Sequence, residues 1–453
     1  MSKHYHLIGI GGIGMSGIAR LLLHRGVKVS GSDLKETRIT KELSQLGISI
    51  FIGHSPDNIR GADVVIYTSA VKEDNSEFIQ AKKTGVVLIR RALALAQLMK
   101  DKTVITVSGS HGKTTTSSLA AYLLLEAGLK PSIAVGGIFK NIDTNACLGE
   151  GDYFVAEADE SDGSFFCYQP DYSIITNIDR EHLDYYRDFD SEIKAFKEFI
   201  YQTKPNGCVF ACGDDLNLKA ILKYCPVRSV LFGLNKGPGF YPDNIELDGL
   251  TSSFDCFYQN KYMDRFNLSL GGKHNISNSL AVIALGLELK IGINLIKKAL
   301  LGYKGAGRRL EQKLKDSRYL ILDDYAHHPT EIKATLDALK NIKYNRLFAI
   351  FQPHRFSRTQ LLLDEFGRSF DAADKVIITD IYPASEQPIP GITGKSIYEK
   401  IKEYHPDKDV VFLAKEDIID YVLKAIQPQD LIITLGAGDI TRISDELAQR
   451  LSR

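Results

Sequence analysis

Neither charge is in surplus in this chain: Lys plus Arg and Asp plus Glu both number 56 over 453 residues. That balance argues against nucleic acid or an acidic membrane surface as a partner, so any polyanion must be met by a local, built pocket. Cysteine is sparse and unpatterned. Cys147, Cys167, Cys208, Cys212, Cys225 and Cys256 include no Cys-x-x-Cys pair and no zinc-ligand spacing. They read as reduced thiols of a cytoplasmic protein. No apolar run approaches the roughly 18 residues of a membrane helix, so no membrane insertion is expected. The basic start followed by Leu7-Ile8-Gly9-Ile10 imitates a signal peptide. Its glycines are too many for a helical signal core, and the pattern runs straight on into a fold. What remains is an ordinary globular composition, 44% hydrophobic and 25% charged. At roughly 100–200 residues per domain, that length accommodates about two to four packed cores.

The most informative stretch is Thr103-Val-Ile-Thr-Val-Ser-Gly109-Ser110-His111-Gly112-Lys113-Thr114-Thr115-Thr116. A β-branched run reads as a buried strand, and a glycine-bracketed loop then delivers Lys113 and Thr114 to a helix over about 114–127. Loop amides and the helix N-terminus make a phosphate pocket, with Lys113 for the terminal phosphates and the Thr114 hydroxyl for magnesium. The loop is short: the usual phosphate loop spaces its glycines more widely, whereas Gly109 and Gly112 enclose just Ser110 and His111.

Upstream, an apolar run leads into Gly9-Ile10-Gly11-Gly12-Ile13-Gly14, a helix follows, and a second strand ends at Asp33. This is a dinucleotide-type fingerprint: a tight turn, close phosphate approach, and a carboxylate for ribose hydroxyls. A nicotinamide dinucleotide and a UDP-sugar both satisfy it. The βα rhythm continues to about residue 100 and implies a parallel, doubly wound domain, with Ser69 at a strand's carboxyl end. His4 and His6 read as structural.

In the middle third, Tyr153–Ala156 is an apolar run ending in Glu157, and an acid at a strand end beside a phosphate loop serves magnesium. Glu157 ranks above Asp159 for that task. His182, among acids that raise its basicity, is a metal or phosphate candidate. Asn275 and Asn278 share a face at a helix start, where their amides suit either an adenine edge or helix capping. Gly305-Ala-Gly-Arg308-Arg309 is a flexible basic junction. Beyond it, a strand ends at Asp323-Asp324 and continues through Tyr325 and His327, and another leads to His354-Arg355-Phe-Ser-Arg358. Two arginines at that spacing form a natural carboxylate clamp.

Six motifs in fixed order carry a resemblance across essentially the whole chain: Gly9–Gly17, Gly109–Thr116, Glu157–Asp162, Lys273–Asn278, Asp323–Thr330 and Phe351–Thr359. Together they resemble the Mur ligases, and the short phosphate loop is that family's own form. Ser110 stands where the family usually has threonine, and Glu181 and Leu183 flank the histidine where it has Asp and Met. The resemblance implies an α/β protein of three domains. These are a Rossmann-like UDP-sugar domain over 1–100, a P-loop ATPase-like domain with a parallel sheet over 101–309, and a Rossmann-like amino-acid domain over 310–453.

It implies ATP and two magnesium ions as cofactors, no redox cofactor, and UDP-N-acetylmuramate and L-alanine as the substrates joined. In these terms Gly9, Gly11, Gly12, Gly14, Asp33 and Ser69 hold the UDP-sugar. Gly109, Ser110, His111, Gly112, Lys113, Thr114, Thr115, Asn275, Asn278, Arg308 and Asp324 bind ATP. Thr114, Glu157 and His182 ligate metal, with Lys113, Glu157 and His182 catalytic. Tyr325, His327, Arg355 and Arg358 form the amino-acid pocket. A monomer or homodimer, with hinge closure on ATP and UDP-sugar, is the expected working form. The competing readings are a sister ligase that reattaches a recycled tripeptide, an NAD-dependent oxidoreductase, and a non-catalytic ATP-gated binder.

Overall fold

The computed structural model describes residues 3–384 and 386–452, with backbone alone at 183 and 184. The chain divides into two compact units. One runs to Asp243 and takes in Asp255–Phe266 and Ser277–Lys304; the other comprises Asn244–Phe254, Asn267–Ile276 and Gly305–Arg453.

The first sheet contains β1 (His4–Ile8), β2 (Lys28–Asp33), β3 (Ser49–Ile52), β4 (Val64–Tyr67) and β5 (Val87–Arg90) in the order β3-β2-β1-β4-β5. Every pairing is parallel. Leu7, Ile8, Val65 and Ile66 are fully buried at its centre. Helices α1 (Ile13–His24), α2 (Arg38–Gln45), α3 (Ser76–Thr84) and α4 (Arg91–Met99) cross between the strands. Local signals set their ends: a Thr37/Thr40 capping box opens α2, while the Asn75 side chain caps α3 and Gly85 at φ 73° closes it. The strand order reverses between β1 and β4. That leaves a crevice outside their carboxyl ends, where Gly9 and Ser69 lie.

The second sheet repeats the logic around β6 (Thr103–Ser108), which delivers the phosphate loop to α5 (Lys113–Glu126). Its remaining strands are β7 (Ser132–Phe139), β8 (Thr144–Cys147), β9 (Tyr153–Glu157), β10 (Tyr172–Ile175), β11 (Cys208–Cys212), β12 (Ser229–Phe232), β13 (Phe240–Asp248), β14 (Thr251–Tyr258) and β15 (Lys261–Leu268). The order is β15-β14-β13-β12-β11-β10-β6-β9-β7-β8. Parallel register sets Glu157 beside Val107 and Ile175 beside Ser108. The strand ends flanking the phosphate loop are therefore those carrying the acidic run and Asn177.

A third sheet in the second unit comprises β16 (Glu311–Lys315), β17 (Tyr319–Asp324), β18 (Leu347–Phe351), β19 (Lys375–Ile378), β20 (Asp409–Phe412) and β21 (Asp430–Leu435), ordered β16-β17-β21-β18-β19-β20. All but the β16–β17 pair are parallel. Asp324 and Phe351 both align with Leu435, so the loops leaving β17, β18 and β21 emerge at one edge.

The expected α/β class holds in all three sheets. Two features were not foreseen: the antiparallel β7–β8 pair and the β13–β15 run. In β13, Asp243 and Asn244 are exposed and the residues from Asn244 to Asp248 alternate between exposed and half-buried, so no apolar run marks them. Among the described residues no helix is long and apolar enough to cross a membrane.

Candidate active site

The phosphate loop is built from backbone strain and side-chain pins. Gly109 has φ 129° and Gly112 φ 82°, both in the left-handed region. A Cβ on Gly109 would lie 2.2 Å from Thr176 Oγ1, and one on Gly112 would lie 2.8 Å from Asn278 Oδ1. The end of β10 clamps the loop from the side. Asn177 accepts from the Ser110 and His111 amides at 3.1 and 2.9 Å, and the Asp179 amide donates to Ser110 Oγ at 2.8 Å. His111 Nε2 meets Asp179 Oδ2 at 2.9 Å. Lys113 folds back, its Nζ donating to Gly109 O and Glu160 Oε1, each at 2.6 Å. Thr114 and Thr115 follow on the first turn of α5, both buried.

The acids divide into two groups. Glu157 ends β9 and accepts from the Gly136 amide at 2.9 Å, with Ser117 Oγ at 3.5 Å and the Thr114 hydroxyl also bonded. Burial pushes its carboxyl up, only partly countered by Lys113. Glu160 lies deeper. Its Oε1 touches Lys113 and lies 3.4 Å from His182 Nε2, while its Oε2 is buried with no hydrogen-bond partner among the described residues. Glu181 Oε2 is also 3.4 Å from His182 Nε2. Burial disfavours the imidazolium, but these carboxylates outweigh it and lift His182 to about 10. Glu192, buried nearby, is pushed up to about 8 by burial.

Glu160, Glu181 and His182 thus offer three ligand atoms within 4.8 Å of one another. A concentration of carboxylates with an orphaned buried oxygen fits a divalent cation. Lys113 and His182 meet at Glu160, a residue that the sequence reading passed over; Glu157 lies instead against Thr114 and Gly136. Nothing in the linear run Glu-Ala-Asp-Glu-Ser-Asp distinguishes these acids, because side-chain direction is unreadable once the strand has ended.

At the first sheet, the Ser32 carbonyl accepts from the Gly9 and Ile10 amides at 2.8 and 2.9 Å, and Asp33 Oδ2 accepts from the Gly11 amide at 2.9 Å. Gly12 forms the N-cap of α1, and Gly14 lies in its first turn. Ser69 Oγ donates to Asp162 Oδ2 at 2.7 Å. His4 and His6 are buried against Ser30 Oγ at 2.8 and 2.9 Å, in the structural role expected of them.

In the second unit a cationic cluster surrounds Tyr325, whose ring has the Arg308 and Arg309 guanidiniums 5.2 and 5.1 Å from its centre. Arg308 is already engaged, donating to Asp323 Oδ2 at 3.0 Å, Gly438 O at 2.9 Å and Gly436 O at 2.5 Å. Asp324 is buried and accepts from the Leu310 and Ala326 amides at 2.7 and 2.8 Å; burial raises its carboxyl to about 6. The rings of His327 and His354 are 5.6 Å apart, and Arg358 Nη1 is 3.3 Å from His354 Nδ1. Burial, then the surrounding cations, lowers His354 to about 2, so its ring is neutral. Arg355 has φ 71° and lies 3.9 Å from Glu386, a carboxylate that also accepts from Ser357 Oγ at 2.6 Å. Tyr382 stacks on His354, and neither it nor Glu386 had a signal in the sequence. Asn275 Nδ2 donates to Gly271 O at 2.8 Å, a helix-start contact, while Asn278 packs against Gly112.

A parallel sheet that brings a Gly-Lys-Thr loop, flanking carboxylates and a histidine to one edge defines a phosphate-loop nucleotide-binding enzyme. Three family descriptions cover most of the length: Mur ligase family, catalytic domain, at residues 4–103; Mur ligase middle domain at 107–286; and Mur ligase, glutamate ligase domain, at 308–438. The UDP-N-acetylmuramate–L-alanine ligase of Geotalea uraniireducens is 44% identical over 98% of this chain and 97% of its own length. That of Desulfatibacillum aliphaticivorans is 44% identical over 98% of both. The crystal structure of UDP-N-acetylmuramate-alanine ligase from Thermotoga maritima superposes with a TM-score of 0.86, at 30% identity over 99% of both chains. The chain belongs to the Mur ligase family.

Proposed function

We propose that this protein joins L-alanine to the carboxylate of UDP-N-acetylmuramate at the expense of ATP, a step in peptidoglycan precursor synthesis. The observation that carries the reading is the end-to-end likeness, at 44% identity, to ligases of that name. The side chains fit the chemistry. A carboxylate does not acylate an amine until its leaving oxygen is improved, and phosphoryl transfer from ATP does that. The sugar carboxylate attacks the γ-phosphorus as the bond to ADP breaks. The alanine amine then attacks the acyl phosphate carbon, phosphate departs, and the amine loses a proton.

Lys113 leaves the carbonyls of its own loop for phosphate oxygens and offsets charge spreading over the transferring group. Thr114 with Glu157, and Glu160 with Glu181 and His182, are the two groups that would hold magnesium. When bound, the metal neutralises phosphate charge and polarises the P–O bonds. Gly9, Gly11, Gly12 and Gly14 seat the UDP, with Asp33 and Ser69 at the same edge. Asn278 and Asn275 serve the adenine side, and Arg308 and Asp324 shape the loop beside the ribose. Arg355 and Arg358 take the alanine carboxylate, and Tyr325 with His327 walls the pocket. The three domains divide near residues 100 and 309.

The test is phosphate release from ATP with magnesium and UDP-N-acetylmuramate, adding alanine, serine, glycine or the tripeptide in turn. Release that requires both the sugar and L-alanine, with the joined product seen by mass spectrometry, is expected. Stimulation by tripeptide alone would move the protein to the recycling reaction.

A further inference from the structure

Backbone conformation leaves three glycines unexplained. Gly17 in α1 and Gly136 and Gly137 in β7 are not at positive φ, and glycine weakens the interior of a helix or strand. Close approach accounts for all three, and the β7–β8 hairpin is common to them. A Cβ on Gly17 would lie 3.0 Å from Asn145 Nδ2 and 3.2 Å from the Ala146 Cβ, both on β8. In β7 the register with β8 shifts between Ala134 and Phe139. Within that shift a Cβ on Gly136 would run into the Glu157 carboxylate, and one on Gly137 would lie 3.1 Å from Thr114 Cγ2.

The polar contacts of the hairpin follow the same path. Asn145 is 2% exposed, and its Nδ2 donates to Ile13 O at 2.5 Å, in the first turn of α1. That carbonyl already accepts from Ser16 Oγ at 2.9 Å, so α1 does not need Asn145 to satisfy it; the bond ties a helix of the first sheet to a strand of the second. At the other end the Gly136 amide donates to Glu157 Oε2 at 2.9 Å. At the tip, Asn141 Nδ2 donates to Gly302 O at 2.9 Å and its Oδ1 accepts from the Lys304 amide at 2.8 Å, which fixes the last residues of the first unit. Antiparallel pairing of Ala134 with Ala146 and of Phe139 with Thr144 makes the two strands one body. Phe139, fully buried, packs edge-on against Tyr122 of α5.

We propose that the β7–β8 hairpin is a strut that sets the spacing between the uridine helix α1 and the Thr114–Glu157 pair, with Asn145 as its positioning residue. The proposal rests on the function given above, in which the sugar carboxylate meets the γ-phosphorus in line. One reactant is seated by the glycine loop that opens α1, the other by the loop that opens α5. A rigid link between those two helices decides whether the attacking oxygen arrives at bonding distance. Asn145 acts through α1, so its loss is felt in the rate of phosphoryl transfer and not in the binding of either reactant.

The experiment compares the full chain with Asn145→Ala, Asn145→Leu and Gly17→Ala in steady-state kinetics with ATP, UDP-N-acetylmuramate and L-alanine, with thermal melts alongside. The rapid-quench rate of ADP formation separates phosphoryl transfer from product release. Leucine keeps the branched outline of asparagine without its donor, and Gly17→Ala presses on the same contact from the helix. Each variant is expected to slow ADP formation by about tenfold or more, with the KM for ATP and for UDP-N-acetylmuramate within about threefold. Joining Gly17→Ala to Asn145→Ala should cost no more than the larger single loss, because both break one contact. An unchanged rate of ADP formation would overturn the proposal, and so would losses that add. Both KM values rising with a lowered melting temperature would overturn it as a structural role. A rise in the UDP-N-acetylmuramate KM alone would overturn it too, by confining the hairpin's effect to the uridine loop. Failure of the unmodified protein to release phosphate with these substrates would instead overturn the function on which the proposal rests.

Discussion

Lys113 is held at 2.6 Å by both a loop carbonyl and Glu160, contacts that keep it at the loop until phosphate oxygens replace the carbonyl. Burial alone would lower its basicity, but Glu160 and the neighbouring acids outweigh that and raise it, keeping the ammonium charged. Lys113→Ala is therefore expected to lower kcat by about a thousandfold or more while UDP binding persists; a near-normal rate in the phosphate-release assay would remove Lys113 from the chemistry. Arg355 stands in the other unit, held at positive φ beside Glu386. Arg355→Ala should raise the alanine KM by about ten- to a hundredfold with little change in the ATP KM. Equal shifts in both would show that the amino-acid pocket lies elsewhere. The glycines and lysine of the phosphate loop were legible because they carry their chemistry in their type, and the role proposed for the two arginines rests on type and spacing in the same way. The choice among Glu157, Asp159 and Glu160 was not legible, because it depends on how a loop turns after β9 and on which carboxylate faces Lys113.

The unit of β6, loop and α5 was legible as a whole, since a β-branched run, two glycines and a helix start each signal independently and agree. Its neighbours were less so: β10 contributes the Asn177 and Asp179 pins through parallel pairing, and pairing partners are not written in a single strand. The two loop glycines differ in what surrounds them. Gly109 faces Thr176 Oγ1 and the backbone of Asn177, at 2.2 and 2.9 Å from a Cβ, whereas Gly112 faces the amide end of Asn278, a side chain able to turn aside. Gly109→Ala should therefore cost about 1–3 kcal/mol of stability and abolish ATP binding. Gly112→Ala, strained in φ but less crowded, should retain a weakened affinity. Paired ATP titrations and thermal melts check the order, and an equal loss in both variants would mean that strain in φ, not crowding, governs the loop.

Folding stability belongs to the whole molecule, and one carboxylate outside the proposed chemistry bears on it. Glu77 opens α3 with its side chain fully buried in the first sheet. It accepts from Ser32 Oγ and Asn58 Nδ2, each at 2.6 Å, and lies 3.2 Å from His6 Nε2. Burial opposes its charge, but the bonds from His6, Ser32 and Asn58 prevail and bring it from 4.5 to about 2. A depressed acid stabilises the fold above its unfolded value, and that contribution fades as pH falls from about 4.5 toward 2. The shift corresponds to roughly 3 kcal/mol. The chain has no tryptophan, so far-UV circular dichroism is the suitable probe, and its two compact units allow separate transitions. Melts of the parent and Glu77→Gln between pH 7 and pH 3 should differ most at neutral pH and converge in acid, on the transition that includes the first sheet. A gap that stays constant across that range would mean that Glu77 contributes shape rather than charge. The serine it holds, Ser32, is also the residue whose carbonyl anchors the Gly9 and Ile10 amides. In the folded chain Glu77 takes its proton only near 2, whereas burial raises Glu157 beside the phosphate loop, so UDP affinity is expected to persist to lower pH than ATP affinity.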